Sequence, residues 1–236
     1  MSVSERRVSA RTAVVWEALE PVLAGQSLDV LDIGGGTGGF AVRVAELGHR
    51  VTVVDPSPDA LAALSRRARE VAVDVTGLQG DLGDLSSLVD EDADVVLCHG
   101  VLEVVDDPAA GLATIREVLR PGGTLSLLVA QRHSAVVARA MAGHFAQALE
   151  LLDHTAPASG RTGHRFTSAE VTTLLADAGF EIASVHGVRV FADLVPGSLL
   201  DLEPGASAAL VELERAVADR PEYLPLATQL HLIART

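Results

Sequence analysis

Three aspartates that follow predicted strands could bind one ligand together. Asp32 ends the first apolar strand of the chain, Asp55 ends the second, and Asp81 comes just after the third. Because the carboxyl ends of parallel strands meet at one edge of an open α/β sheet, we expect these side chains to lie at the same edge. Carboxylates accept hydrogen bonds from hydroxyl, amine and ammonium groups. The three acids therefore predict a site for a ligand that carries such donors.

A glycine-rich turn directly follows Asp32 and leads into a helix pattern. Glycines allow positive φ and leave no Cβ to keep a ligand away from the backbone. A strand, a glycine turn and a helix N-terminus in this order form a ligand-binding corner of an open α/β sheet. The turn by itself leaves its ligand open, because Gly34, Gly36 and Gly39 also satisfy the G-x-G-x-x-G pattern of dinucleotide-binding proteins.

The position of each acid suggests which part of a nucleotide it binds. Asp55 comes about 20 residues after the glycines, as expected for the acceptor of a ribose diol in NAD or in S-adenosylmethionine. Asp32 discriminates between the two, since a carboxylate would repel a pyrophosphate but attract a methionine ammonium. Asp81 can accept from the adenine amine while the backbone N–H of Leu82 contacts the ring. In the alternative interpretation, all three acids only cap helices or turns.

Strands alternate with helices over the first 130 residues, which predicts a parallel sheet covered by helices. The predicted fold class is α/β, a Rossmann-like, doubly wound, mostly parallel seven-stranded sheet with a small helical cap. The predicted strands are 28–33, 50–55, 75–79, 94–99, 124–129, 180–191 and 229–234. The predicted helices include 9–22, 58–70, 136–152, 167–179 and 206–218.

We expect one domain over residues 1–236, because a chain of this length can bury a substantial core in a single α/β unit. The N-terminal helix at 9–22 precedes a cofactor-binding half at 27–130. Cap insertions are predicted at about 131–166 and 192–226.

Composition limits the classes of partner. The formal net charge of −14 opposes non-specific attraction to nucleic acid, although a local basic patch could still bind RNA. The single cysteine, Cys98, excludes an internal disulfide and lies in an apolar run, as a small core residue would. No apolar run approaches the ~18 residues of a membrane span, and the N-terminus lacks the apolar region of a signal peptide. We expect a soluble cytoplasmic protein that does not contact membranes.

Four motifs resemble those of the class I S-adenosylmethionine methyltransferases and occur in their usual order. They are Asp32-Ile33-Gly34-Gly35-Gly36-Thr37-Gly38, acidic Asp55, Gly80-Asp81 and Leu119-Arg120-Pro121-Gly122-Gly123. The resemblance implies a methyltransferase that uses S-adenosylmethionine and releases S-adenosylhomocysteine. The implied cofactor contacts come from Arg11, Asp32, Gly34, Gly36, Gly38, Asp55, Pro56, Asp81, Leu82 and His99.

A narrower resemblance extends into the predicted cap and is to the bacterial tRNA 5-carboxymethoxyuridine carboxyl-methyltransferases. The similar segments are Leu97–Pro108, Ala142–Phe145, Gly187–Phe191 followed by Asp193, and Tyr223–Leu226 with His231. The resemblance implies a modified wobble uridine of tRNA as the methyl acceptor, and it pairs Arg11 with the methionine carboxylate. The family's lysine-rich loop is nearly uncharged here, at 153–161, and its N-terminal tyrosine-glycine sequence is missing. A small-molecule acceptor therefore stays the alternative to tRNA.

For methyl transfer to a carboxylate, the protein mainly aligns the acceptor with the methyl group and excludes water. A carboxylate is already ionised and needs no general base. It needs a cation to orient it, and arginine can do so with two hydrogen bonds. Arg132, Arg165 and Arg189 are the candidates in the predicted cap. Arg189 is the strongest of them, because it interrupts an apolar strand; in the alternative, it lies on the solvent face of an edge strand.

The histidines carry weaker predictions. No pair of the eight shows a recognisable metal-ligand spacing, so no metal is expected. His99 follows a buried strand at the ligand edge and is predicted to contact the cofactor. His133 follows another strand end and could touch the substrate, or act as a base if the acceptor were a hydroxyl or an amine. In the alternative, His133 is an exposed loop residue.

Two other functions compete with methyl transfer. An NAD-dependent oxidoreductase would share the fold and the G-x-G-x-x-G pattern, and a non-catalytic nucleotide-sensing or scaffold protein could keep the same turn. Binding of NAD without binding of S-adenosylhomocysteine would favour the first. Cofactor binding with no methyl acceptor in a cell extract would favour the second.

Overall fold

Seven strands form one sheet in the computed structural model, which describes residues 12–89, 93–153, 163–202 and 204–236. The strands are β1 (Asp29–Ile33), β2 (Arg50–Asp55), β3 (Thr76–Gln79), β4 (Ala93–His99), β5 (Leu119–Ala130), β6 (Glu181–Val188) and β7 (Gln229–Arg235). Their order across the sheet is β3-β2-β1-β4-β5-β7-β6. The predicted Rossmann-like α/β fold is confirmed.

Helices connect these strands in the part of the chain that the structure describes. The first, α1, covers 12–19. The others are α2 (Ala41–Glu46), α3 (Pro58–Glu70), α4 (Leu85–Leu88), α5 (Pro108–Val118), α6 (Arg132–Met141), α7 (Phe145–Asp153), α8 (Ser168–Asp177), α9 (Gly197–Leu202) and α10 (Ala206–Val217). Two short 3-10 helices cover Leu82–Asp84 and Leu224–Leu226.

Local sequence explains where several of these helices begin. Ser57 caps α3 and Asp107 caps α5, and in both cases a proline occupies the first turn, where its missing N–H costs nothing. Thr167 precedes α8 in a capping box, in which the Glu170 N–H donates to the threonine hydroxyl and the Thr167 N–H donates to the glutamate. These two contacts satisfy N–H groups at the start of α8, which is why the helix begins there.

The first strands of the chain create a point where the direction of strand addition reverses. β1 lies between β2 and β4 and is parallel to both. The sheet continues from β2 to β3 on one side and from β4 to β5 on the other, again in parallel. Open α/β sheets bind ligands at such a switch point, beyond the carboxyl ends of the strands. Asp32 and Asp55 lie at those ends.

Contacts divide the chain into two compact units. One, the glycine-turn unit, comprises Val22–Leu128, Thr172–Ala183 and Leu232–Thr236. The other, the helical unit, comprises Met1–Pro21, Val129–Val171 and Ser184–His231. The single domain with cap insertions at 131–166 and 192–226 stays a prediction.

The structure corrects the bounds of two predicted elements. The helix expected over 136–152 is two helices, α6 and α7, because the chain between them turns through Gly143 at φ +77°. The strand expected over 180–191 ends at Val188, because Arg189 adopts φ +63°, which no strand residue has. Periodicity predicted the residue types of both segments but not these interruptions.

A third difference concerns the start of β5. The predicted strand at 124–129 follows Arg120-Pro121-Gly122-Gly123 in the sequence. Instead β5 already begins at Leu119, which pairs with Ala93, and the register with β4 shifts before Thr124 pairs with Val95. The proline and glycines therefore form an irregularity inside the strand, where such residues are tolerated.

None of the helices among the described residues is long and apolar enough to cross a membrane.

Candidate functional site

Asp32 is a buried acid near the carboxyl end of β1. It pairs with Val53 on β2 and with Leu97 on β4, and only 3% of the residue is exposed. Its Oδ2 atom is buried and has no hydrogen-bond partner among the described residues. Burial, together with the nearby Asp55 carboxylate, raises the pKa of Asp32 to about 7, against a smaller opposite effect of a backbone hydrogen bond from Ala41.

The glycine turn leaves the backbone beside Asp32 uncovered. A Cβ at Gly35 would lie 2.5 Å from Oδ2 of Asp32. Gly38 adopts φ +79°, and a Cβ there would overlap the side chain of Leu64. Both positions therefore require glycine, one for the space around the carboxylate and one for backbone conformation and packing on α3. Gly34 and Gly36 also have positive φ.

Asp55 organises the turn from the end of β2. Its Oδ2 atom accepts the Gly36 N–H at 2.9 Å, and its Oδ1 atom accepts the Ser57 N–H at 2.9 Å. A carboxylate has about four acceptor sites, so both oxygens keep capacity for further donors. The carbonyl of the neighbouring Pro56 accepts from the Gln79 side chain at 3.3 Å. Asp55 can thus hold the glycine turn and still accept from a diol.

Asp81 has the capping role that was the alternative to ligand binding. Its Oδ1 atom accepts the Gly83 N–H at 2.8 Å, and its own N–H donates to Asp84 at 3.1 Å, which forms a capping box at the start of the 3-10 helix. The Asp81 side chain is exposed, so capping leaves it accessible to a ligand. Leu82, the first residue of that helix, is 3% exposed.

His99 ends β4 in a partly buried position. Its Nε2 atom lies 2.9 Å from the Ser126 hydroxyl on β5, and its ring meets Phe40 edge to face with centroids 4.7 Å apart. Burial lowers the pKa of His99 to about 4, so the ring is neutral at neutral pH. Nothing in the sequence spacing indicated Ser126 as its partner. The preceding Cys98 is fully buried, and burial raises the pKa of its thiol, as in a core residue.

The predicted substrate arginines all lie in the helical unit. Arg132 begins α6, is 8% exposed, and donates to both carboxylate oxygens of Glu170 and to the carbonyl of Arg165. This pairing with Glu170 commits the guanidinium to a structural contact. His133, the next residue, has an exposed side chain on the first turn of α6, and its backbone N–H donates to the side chain of Gln131.

Arg189 lies directly after β6 in the left-handed region, and 24% of its side chain is exposed. One terminal nitrogen donates to Gln229 at 3.3 Å and the other pairs with Asp193. Its Nε atom is buried and has no hydrogen-bond partner among the described residues. The carbonyl of Arg189 accepts from the hydroxyl of Thr228 at 3.1 Å.

A buried glutamate binds the segment after Arg189. Glu214 on α10 is 0% exposed, and its carboxylate accepts the backbone N–H groups of Val190, Phe191 and Ala192 at 2.7–2.9 Å. Glu214 was not among the residues predicted from the sequence. A signal was present, because Glu214 falls on the stripe of α10 that buries its apolar side chains, where an acid needs partners.

A cavity of about 270 Å³ lies within the helical unit. Apolar side chains such as Leu194 and Leu226 form much of its lining, and Arg139, Arg165 and Asp193 bring charge to it. Arg165 is the predicted substrate residue that lines this cavity. Arg139 was missed, because a lone arginine on a helix of mixed polarity gives no signal of a cavity.

Two predictions remain, the cofactor contact of Arg11 and the expected absence of a metal site. Arg11 lies outside the described residues. In the described ranges 12–89, 93–153, 163–202 and 204–236, no group of three or more histidine, cysteine, aspartate or glutamate residues is arranged to hold a metal ion.

Comparison with known proteins finds relatives that match most of the chain. Residues 31–127 match the family described as "Methyltransferase domain". The tRNA 5-carboxymethoxyuridine methyltransferase of Escherichia coli (strain K12) is 33% identical over 230 residues, which cover 95% of this chain and 87% of that protein. A probable S-adenosylmethionine-dependent methyltransferase of Mycolicibacterium smegmatis is 32% identical over 211 residues, which cover 89% of this chain and 72% of that protein.

A solved structure shares the fold. The magnesium protoporphyrin IX methyltransferase of Synechocystis, with bound S-adenosylhomocysteine, superposes with a TM-score of 0.63 at 18% identity, covering 97% of this chain and 82% of that one. At this level of identity, the likeness shows a common fold alone.

The residues at the glycine turn fit S-adenosylmethionine. The unpartnered, buried Oδ2 atom of Asp32 suits a positively charged amine, the glycines leave the backbone open, and Asp55 keeps acceptor capacity for a ribose diol. The same carboxylate at Asp32 would repel a pyrophosphate, which disfavours NAD. The chain is an S-adenosylmethionine-dependent methyltransferase, and it belongs to the family of the tRNA 5-carboxymethoxyuridine methyltransferases.

Proposed function

We propose that this enzyme O-methylates a carboxylate, and that the acceptor is 5-carboxymethoxyuridine in tRNA. The observation that carries the proposal is the buried Nε–H of Arg189, a charged donor without an acceptor among the described residues. Leaving such a donor unsatisfied is costly, whereas a carboxylate oxygen would satisfy it with a charge-assisted hydrogen bond. The name of the E. coli relative, which is 33% identical, supports the same acceptor.

The chemistry requires orientation rather than proton transfer. S-adenosylmethionine, when bound, supplies a methyl group on a positively charged sulfur. An acceptor carboxylate forms the new O–C bond as the C–S bond breaks, so no proton moves and no general base is needed. Arg189 orients the acceptor oxygen through Nε, while Gln229 and Asp193 hold its two terminal nitrogens. His133 has no role in this scheme, in keeping with its exposed position.

The charged side chains that line the cavity near Asp193 favour binding of an anion. Asp193 pairs with Arg189 and lines the cavity, where Arg139 and Arg165 are also found. Two cations against one acid give the lining a net positive charge, although the whole chain carries −14. We therefore assign Arg165 as the second cation for the acceptor, and Arg132, held by Glu170, as a structural residue.

A second acceptor class has its own support. The cavity of about 270 Å³ is bordered largely by apolar side chains such as Leu194 and Leu226, which suits the body of a small carboxylic acid. The two classes differ in electrostatics. Methylation of tRNA should fall steeply as salt rises, because phosphate contacts release counterions, whereas methylation of a small acid should change little.

The test uses labelled S-adenosylmethionine and bulk tRNA from a strain that lacks the family enzyme. We expect label in the tRNA that mild alkali releases, as a methyl ester requires. Arg189→Lys should lower kcat/KM for tRNA about tenfold to hundredfold and leave the affinity for S-adenosylhomocysteine within about twofold, since lysine keeps the charge but not the Nε–H donor. Arg220→Lys, at an exposed arginine of the same unit, is the matched control and should behave as wild type.

Two results would contradict the proposal. Label that enters a small-molecule fraction and not tRNA would replace the tRNA acceptor by a small acid. Alkali-stable label in tRNA would show that the acceptor atom is not a carboxylate oxygen.

A further inference from the structure

We propose that Glu214 is a positioning residue that fixes the orientation of Arg189 for the acceptor. This inference rests on the proposed role of Arg189 in binding the acceptor carboxylate. Glu214 is fully buried and takes no part in the chemistry. Its role is to hold the backbone next to the substrate arginine in one conformation.

Three successive backbone N–H groups converge on the Glu214 carboxylate. Oε2 accepts from Val190 at 2.9 Å, and Oε1 accepts from Phe191 at 2.8 Å and from Ala192 at 2.7 Å. Consecutive N–H groups that point into one concavity form an anion-binding nest, and here the anion is a side chain of the same chain. Burying an acid is tolerated when it is hydrogen-bonded in this way.

The residue just before this nest is the one with unusual backbone geometry. Arg189 has φ +63°, which is unfavourable for a residue with a side chain unless its surroundings impose it. Its carbonyl is held by Thr228, through the backbone N–H at 3.3 Å and the hydroxyl at 3.1 Å. Thr228 thus fixes the peptide group after Arg189 by its oxygen, and Glu214 fixes the same peptide group by the N–H of Val190.

The held peptide group determines where the guanidinium lies. Rotation about φ of Arg189 turns its Cα–Cβ bond, so a relaxed backbone would separate the side chain from Gln229 and Asp193, its present partners. The buried Nε–H would move with it. Glu214 therefore acts on the acceptor through Arg189 and not by direct contact.

Glu214→Gln is the most informative variant, because it keeps the size of the side chain. Its amide oxygen can still accept two of the three N–H groups, but the amide nitrogen must face the third, donor against donor. We expect kcat/KM for tRNA to fall about tenfold to hundredfold, with the affinity for S-adenosylhomocysteine unchanged within about twofold. Glu212→Gln makes the same chemical change at an exposed position of α10 and should leave both quantities unchanged.

A double-mutant cycle separates positioning from general destabilisation. In an Arg189→Lys background, Glu214→Gln should reduce kcat/KM by less than about twofold further, although its effect on Tm persists. An equal fall in kcat/KM in both backgrounds would overturn the inference, because the effect would then not pass through Arg189. If Glu214→Gln does not fold, Glu214→Asp takes its place in the cycle, since it keeps the carboxylate but shortens the side chain that reaches the Val190, Phe191 and Ala192 N–H groups.

A measurement without any acceptor distinguishes failure of this inference from failure of the proposed function. In protein labelled with ¹⁵N-arginine, the buried Nε–H of Arg189 should give a separate, slowly exchanging signal, which Arg189→Lys identifies by its loss. Glu214→Gln should move this signal to the position of solvent-exposed arginines, and Glu212→Gln should not. An unmoved signal overturns the inference, whether or not tRNA is methylated. If the signal moves but the tRNA receives no methyl label, the positioning role of Glu214 is supported and tRNA is rejected as the acceptor.

Discussion

The two units of this methyltransferase handle charge in opposite ways. In the glycine-turn unit, the buried acids Asp32 and Asp55 lie near each other, accept only backbone N–H groups, and leave one oxygen of Asp32 without a partner. In the helical unit, by contrast, the arginines Arg132 and Arg189 are each paired with an acid. The charge of a ligand group can therefore be inferred from the charges that the protein leaves uncompensated. A buried, uncompensated acid favours a cationic ligand group, and a paired arginine offers an anion only the donors that remain.

Asp55 offers the most direct test of the acidic side of this comparison. Asp55→Ala removes the acceptor of the Gly36 and Ser57 N–H groups and, if Asp55 binds the ribose diol as predicted, the acceptor of the diol as well. Unpaired buried donors cost about 1–3 kcal/mol each. We expect the affinity for S-adenosylhomocysteine, measured by calorimetry, to fall about hundredfold. Asp59→Ala, at an exposed acid in the first turn of α3, is the control and should bind normally. Unchanged binding by Asp55→Ala would refute its assignment to the diol.

Asp32 should make cofactor affinity depend on pH. Its pKa is raised to about 7, so only about a tenth of the protein has an ionised Asp32 at a pH one unit lower. If the ionised form attracts the ammonium of the ligand, the affinity for S-adenosylhomocysteine should rise about tenfold from pH 6 to pH 8. Asp32→Asn should bind weakly with no such rise. If the affinity of the wild-type protein for S-adenosylhomocysteine does not change with pH, ionised Asp32 does not bind the ammonium of the ligand.

The raised pKa of Asp32 also has a consequence for stability. Between its ordinary value of 3.8 and about 7, the folded protein binds more protons at this site than the unfolded chain. The contribution of Asp32 to the free energy of unfolding is therefore greatest below this window and is lost as pH rises to about 7. Relative to wild type, Asp32→Asn should gain stability from pH 5 to pH 8 in urea denaturation. An equal difference in stability between Asp32→Asn and wild type at pH 5 and at pH 8 would contradict the raised pKa of Asp32.

Arg132 should have the smallest effect on the reaction, because its charge is already compensated. Arg132→Lys replaces a guanidinium that donates to Glu170 and to the Arg165 carbonyl by an ammonium that cannot span both. We expect a lower Tm, with the KM for tRNA and the affinity for S-adenosylhomocysteine unchanged within about twofold, as a structural ion pair implies. A tenfold rise in KM at unchanged Tm would make Arg132 a substrate residue and remove the distinction drawn between it and Arg189.

The glycine-turn unit was predictable because its chemistry is local. Asp32, the glycines and the start of α2 are contiguous in the sequence, and Asp55 follows after one helix and one strand. The conformation of each glycine follows from the absence of a Cβ, and parallel strands bring their carboxyl ends together. The acids and their edge of the sheet could therefore be inferred without knowing how any distant segment packs. Even here the capping contact of Asp81 with Gly83 was only one of two alternatives.

The helical unit was not predictable in the same way, because its contacts join residues far apart in the sequence. Whether Arg132 was a substrate residue or a partner of Glu170 could not be decided from either residue, since both lie on polar, helix-forming segments. The end of β6 was equally hidden, because Val188 to Phe191 reads as a strand except for Arg189. The left-handed φ of that arginine coincides with hydrogen bonds that its carbonyl accepts from Thr228 and that the next backbone N–H donates to Glu214, which come 39 and 25 positions later in the chain.

Residue types and short-range spacing were enough to predict the fold class and the acids at the strand ends, and the resemblance of the motifs to a known family implied the cofactor. Which charges are compensated depends on the tertiary structure. It joined Arg132 to Glu170 and Arg189 to Asp193, buried Glu214 beneath three backbone N–H groups, and left the Nε–H of Arg189 and one oxygen of Asp32 unpartnered among the described residues. The physical reason is that an ion pair or a buried donor is defined by distance and solvent access, and only the packing of distant segments sets these two quantities.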